Sequence, residues 1–110
     1  MNLNEEEASY LVHYFYESIS NYDYVTAYSL LGSEWQSSVS YDEFRTQYQT
    51  TLAVDIIDTK ALIGDDVVTL TAEIEVLQLA DNGEFIENIQ KIMCEVGIEN
   101  DRMKLLMVSE

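Results

Sequence analysis

The hydrophobic period of this chain changes at Thr51, and that change constrains its fold more than any other feature. Before Thr51 apolar residues recur at helical spacing; after it they alternate as strand residues do. The stretch Asn21 to Thr51 reads as two short helices joined by a turn through Gly32, Ser33 and Trp35. Helices first and long strands after is an α+β order. The order says much about architecture and little about chemistry.

The first helix is expected to open at Asn4, an N-cap followed three residues later by Glu7. Glu5, Glu6 and Glu7 then occupy the first turn, where the helix dipole favours negative charge. Ala8, Leu11, Val12, Phe15 and Ile19 share one face, and the helix should end near Ser20. Asp23 caps a second helix, about Tyr24 to Leu31, with Val25, Tyr28 and Leu31 as its apolar face. Gly32 is placed to stop it in a left-handed conformation. Ser40 with Glu43 forms a capping box that opens a third helix, with Tyr41, Phe44 and Tyr48 on its face. Phe15, Trp35 and Phe44 are the expected aromatic core.

Four strands follow. In the first, Val54 and Ile56 compete with Ile57 and Ala61 for one face, which predicts a bulge. Gly64-Asp65-Asp66 turns the chain. Val68, Leu70, Ala72, Ile74 and Val76 then alternate inward against Thr69, Thr71, Glu73 and Glu75. Asn82-Gly83 is a strong hairpin signal. A third strand brings Ile92, Cys94 and Val96 inward, and a fourth runs from Arg102 to Val108. The expected fold is α+β: three N-terminal helices packed on a curved four-stranded antiparallel sheet, in one domain spanning residues 1–110.

Charge excludes some partners. The chain has 21 acids and five bases, a net charge of −16, and its first 44 residues carry no Lys or Arg. Such a surface repels nucleic acid phosphates and anionic lipid headgroups, and it steers basic protein partners. No apolar run is long enough to span a membrane, and MNLNEEE is unlike a signal peptide. The expected compartment is the cytoplasm, or an extracytoplasmic space if the chain is a domain trimmed from a longer protein. Cys94 is the only cysteine, so no internal disulfide can form, and its place in the alternation suggests a small buried side chain.

Several residues carry a resemblance. Asn21 and Asp23 follow the first helix; Asp23, Ala27, Tyr28, Leu30 and Leu31 form a D-x-x-x-A-Y-x-L-L segment. Trp35 follows, then Ser40, Tyr41, Phe44 and Tyr48, and then the long hairpin strands. In these features the chain resembles the nuclear transport factor 2-like (cystatin-like) superfamily, in its small bacterial branch. Members usually carry a Trp at the start of the last strand, where this chain has Met103. The resemblance implies a cone between helices and sheet, and a homodimer through the outer face of the sheet. Leu77, Leu79, Phe85, Ile89 and Met93 would supply that interface, among Glu73, Glu75, Glu87 and Glu95.

The superfamily hosts enzymes and non-enzymes alike. Its ketosteroid isomerases and polyketide cyclases place carboxylates and a tyrosine in the cone. The position matching the isomerases' helix-one tyrosine is Phe15, and SEWQSS stands where an acidic segment would be. His13, the only histidine, reads as a helix-surface residue beside Glu17. Asp55 and Asp58 would reach the cone if a bulge shifts their register. The expected function is therefore a non-catalytic binding or interaction domain. Its candidate ligand pocket is lined by Tyr14, Tyr28, Trp35, Tyr48 and Asp55 and suits a small apolar ligand. The alternative is a small isomerase, dehydratase or cyclase using pocket carboxylates and tyrosines. No cofactor or metal is expected: turn chemistry accounts for the acidic Asp65-Asp66 and Asp81 to Glu84, and the second lacks the ligand spacing of a calcium-binding loop.

Overall fold

The computed structural model describes residues 3–110. Four helices precede four strands: α1 (Glu5–Ser20), α2 (Tyr24–Ser29), α3 (Ser33–Ser38), α4 (Tyr41–Gln47), β1 (Thr51–Ile63), β2 (Val68–Leu79), β3 (Phe85–Glu99) and β4 (Arg102–Ser109). The strands form one antiparallel sheet in the order β1-β2-β3-β4. This is the expected α+β arrangement with one more helix: SEWQSS forms α3 where a turn was expected.

The expected caps are in place. Asn4 Oδ1 accepts from the Glu7 N–H at 2.8 Å, and Asp23 Oδ1 from the Thr26 N–H at 3.2 Å. Ser40 and Glu43 form the reciprocal capping box. α1 ends in a Schellman motif: the Asp23 N–H bonds Ser18 O at 2.8 Å and the Tyr22 N–H bonds Ile19 O at 3.0 Å. The left-handed position of that motif holds Tyr22, with φ 61°, rather than the usual glycine.

Gly32 is not left-handed. Its φ of −65° and ψ of 160° are extended, because the chain leaving α2 pairs briefly with the last strand. The Gly32 N–H donates to Leu105 O and the Leu105 N–H to Leu30 O, both at 2.8 Å. A Cβ there would lie 2.9 Å from Leu106 Cδ2 and 3.0 Å from Glu99 Oε2, so these two side-chain ends would have to shift.

The core lies between α1 and the concave face of the sheet. Ala8, Val12, Phe15 and Ile19 are sealed against Val68, Leu70, Ile74, Val76, Ile92, Cys94 and Val96. The ring of Phe44 closes the other side, 6.1 Å from the Phe15 centroid and 5.2 Å from that of Tyr48. Three core expectations fail. Tyr41, on the expected apolar face of its helix, is 37% exposed. Val25 is 67% exposed, because the short α2 buries Ala27 instead. Trp35 is half-buried rather than sealed, since α3 lies at the end of the cone and not over it.

At α1's C-terminus the Ser20 hydroxyl accepts from the Val54 N–H at 2.9 Å and donates to Val54 O at 3.2 Å, fixing the helix to β1. The predicted bulge lies between Ile56 and Asp58.

Truncating Phe44 to Ala should cost about 3–5 kcal/mol, since its ring is fully buried, and chemical denaturation measures this. Tyr22→Gly should instead stabilise by about 0.5–1 kcal/mol, seen as a raised Tm, because glycine relieves the left-handed strain of an exposed tyrosine.

Candidate functional site

A cavity of about 400 Å³ opens between the helices and the inner face of the sheet. Its apolar wall is Val54, Ile74, Val76, Ile92 and Val108 from the strands. Its polar lining is Tyr16 from α1, Trp35 from α3, Gln47 and Tyr48 at the end of α4, and Gln78 and Gln90 from β2 and β3, with Thr51, Ser109 and Glu110 at the strand ends. Sheet geometry explains the mixture. Past Val76 and Ile92 the inward positions continue as Gln78, Gln90 and Asn88. Alternation holds the face while the residue type turns polar.

Two of the five sequence-predicted pocket residues, Trp35 and Tyr48, line this cavity. Tyr14 does not: it is 40% exposed on α1, its ring stacked on Tyr10 at 6.3 Å. Nor does Tyr28, whose hydroxyl donates to Val39 O at 2.7 Å and contacts Gln36 O at 3.1 Å, fastening α2 to the segment between α3 and α4. Asp55 faces the opposite side of the sheet, paired with Glu75 and exposed. Asp58 pairs with Glu73 on that same outer face. Residues three apart on a regular strand point to opposite faces. The bulge between Ile56 and Asp58 removes that difference and turns both carboxylates outward.

Tyr16 was not among the predicted residues. It is 5% exposed and follows Val12 by four residues on the buried stripe, which is the spacing that could have found it. Phe15, the position matched to the isomerase tyrosine, is sealed in the core. His13 lies outside the site, its Nδ1 2.8 Å from Ser9 O on the exposed side of α1 rather than paired with Glu17.

The phenols of the cavity are held neutral. Burial pushes Tyr48 up to about 12, and the nearby Cys94 thiol adds to the rise. Burial raises Tyr16 further, reinforced by Tyr48, Cys94 and Glu110. Cys94 itself is pushed up to about 12 by burial, which makes it an inert core thiol. Among the described residues no cluster of three His, Cys, Asp or Glu side chains is placed to hold a metal. No helix among them is long and apolar enough to cross a membrane.

No family model and no curated protein matches the chain in sequence. Solved structures do match its fold. A candidate dehydratase from the NTF2-like family of Streptomyces avermitilis aligns with TM-score 0.74 at 14% identity, covering 94% of this chain and 92% of that one. The association domain of C. elegans CaMKII aligns with TM-score 0.65 at 15% identity, covering 94% and 91%. A SEC-C motif containing protein from Rhodopseudomonas palustris aligns with TM-score 0.69 at 10% identity, covering 90% and 74%. At these identities the likeness establishes the fold, which is that of the NTF2-like candidate dehydratase.

Alkaline titration checks the buried phenols. Absorbance at 295 nm should show Tyr48 and Tyr16 ionising well after the exposed tyrosines. A folded phenol that keeps its proton above its ordinary value of 10.0 makes stability flat below that pH. Stability then falls as pH rises from about 10 toward 12, because unfolding releases the proton.

Proposed function

We propose that this is a non-catalytic binding domain that holds a small, largely apolar molecule in its cone. One observation carries the reading: the cavity is walled by aliphatic side chains, phenols and amides, with no histidine, lysine or arginine and no carboxylate but the exposed Glu110. A general acid–base site needs a titrating group within reach of the substrate. The carboxylates nominated for that role, Asp55 and Asp58, stand on the far side of the sheet. The alternative is a small dehydratase- or isomerase-type enzyme, favoured by the Streptomyces neighbour and by the tyrosines of the cone. Its only wall carboxylate would be the exposed Glu110.

Trp35 is the only tryptophan and lines the cavity, so its fluorescence reports occupancy. Titration with the neutral dye N-phenyl-1-naphthylamine should quench Trp35 emission saturably, with one site per chain. Quenching that stays linear into the millimolar range would overturn the reading.

We also infer that two copies pair through the outer face of the sheet. Leu79, Phe85, Ile89 and Met93 are exposed there at 40%, 71%, 63% and 39%, apolar positions on β2 and β3 interspersed with Glu75, Glu87 and Lys91. Lys60 and Lys91 lie on the same face as Asp55, Asp58, Glu73 and Glu75, so a two-fold axis would bring bases against acids. One structural neighbour is itself an association domain. The acidic exterior would also steer a basic protein partner. Sedimentation equilibrium should show a monomer–dimer exchange that tightens with salt, because each copy carries −16 and salt screens the repulsion. Ile89→Asp should leave a folded monomer. Only monomer at high micromolar concentration in the parent protein would remove the dimer.

A further inference from the structure

The hydroxyls of Tyr16 and Tyr48 are the unexplained polar groups of this molecule. The other enclosed tyrosine of the helical cap, Tyr28, spends its hydroxyl on backbone carbonyls, and Tyr24 reaches Tyr48 O at 3.5 Å. Neither the Tyr16 nor the Tyr48 hydroxyl has a hydrogen-bond partner among the described residues. Yet none of the fully enclosed polar side-chain atoms described lacks a partner. Both hydroxyls must therefore open on the space beside them, which is the cavity that both residues line. Tyr16 is 5% exposed, so bulk water has little access to it by any other route. A buried hydroxyl left unmade costs free energy, and a ligand that satisfies it recovers that cost.

Resting on the cone as a ligand site, we propose that Tyr16 and Tyr48 jointly donate to one neutral acceptor, the carbonyl oxygen of a ketone, ester or amide on an otherwise apolar ligand. A carbonyl oxygen has two lone pairs and takes two donors at once. Both phenols stay protonated donors across the physiological range, held so by burial. The acceptor is neutral because no Lys, Arg or His lines the cavity to offset an anion. The ligand is held unchanged, since the two donors only polarise a carbonyl and the one carboxylate of the lining, Glu110, is exposed to solvent. The amides of Gln78 and Gln90 lie on adjacent strands of the same wall and can read a second polar group.

Three naphthalenes of nearly one shape test this. 2-Acetylnaphthalene carries the carbonyl, 2-ethylnaphthalene lacks it, and 2-naphthoate carries a charge; each is titrated against Trp35 emission. The ketone should bind more tightly than the hydrocarbon by about three- to tenfold per hydroxyl engaged. Tyr16→Phe and Tyr48→Phe keep the rings, and each should reduce that preference while leaving the hydrocarbon's affinity within about twofold. The double variant should abolish it. Thermal melts confirm that the variants fold; if Tyr16→Phe does not, Tyr48→Phe alone decides. Equal binding of ketone and hydrocarbon to the parent protein would overturn the carbonyl site and leave the cone reading standing. Naphthoate binding tightest would overturn the neutral acceptor. No binding by any of the three would bring down the cone reading, and this one with it.

Discussion

A single long helix has to cover a sheet much longer than itself. α1 has 16 residues, about 24 Å at 1.5 Å per residue, whereas the 15 residues of β3 extend to about 50 Å. Apolar inward positions are therefore useful only where α1 reaches, and the sequence follows that limit. Ile92, Cys94 and Val96 are buried under the helix, while Asn88 and Ile86, the inward positions at the other end of β3, are exposed. Between the two zones the sheet still curves inward and α4 still closes over it with Phe44 and Tyr48. The cavity occupies that gap. It follows from the mismatch between one helix and four strands, and its polar lining marks where the helix runs out.

The clamps that hold this arrangement are few and specific. Ser20 bonds both backbone groups of Val54, and Leu30 and Gly32 bond Leu105. The first fixes α1 along β1 and the second fixes the short helices to the edge strand β4. Leu106 occupies the space left by two glycines, since a Cβ on Gly97 would come within 2.7 Å of it and one on Gly32 within 2.9 Å. The irregularity in β3–β4 pairing lies beside it, between Glu95 and Val96. Neither clamp has a signature in local periodicity, because each joins residues more than thirty positions apart.

That separates what was legible from what was not. The stripe from Ala8 to Ile19 and the alternations Val68 to Val76 and Ile92 to Val96 are local patterns, and each was readable residue by residue. α3 was not. SEWQSS has one apolar residue and no period, and its helix is held by serine hydroxyls bonding carbonyls four residues back and by Glu99, which accepts from the Ser33 N–H at 2.9 Å from 66 positions away. The site was half legible for a related reason. Aromatic residues could be counted, but which one faces inward is set by helix rotation and strand register. Tyr14 and Tyr16 differ by 200° around α1, so one is stacked outside and the other enters the cone. A bulge was predicted in β1, yet its position between Ile56 and Asp58 decided the fate of both carboxylates, and periodicity cannot place a bulge to one residue.

The acidity of the chain and the neutrality of its cavity are separate signals with separate causes. Many acids have local duties. Glu5, Glu6 and Glu7 fill the first turn of α1, and Asp23 caps α2. Glu43 completes the box at α4, where its hydrogen bonds to Ser40 lower its pKa, and Glu99 serves the start of α3. Asp42 pairs with Arg45 at 2.7 Å. Asp55, Asp58, Glu73, Glu75, Glu87 and Glu95 stand on the outer face of the sheet. Charge on the periphery acts at long range and sets which molecules approach, at a strength that salt controls. Phenols and amides inside act only at contact and set what is retained. On the proposed reading, a neutral apolar molecule would be indifferent to the first filter and suited to the second, whereas an anion would be disfavoured by both. A cation is drawn to the surface and finds no wall carboxylate but Glu110 to hold it in the cone. On the proposed reading, the acidic exterior would meet a charged macromolecule and the neutral cavity an uncharged small molecule, two surfaces of opposite character.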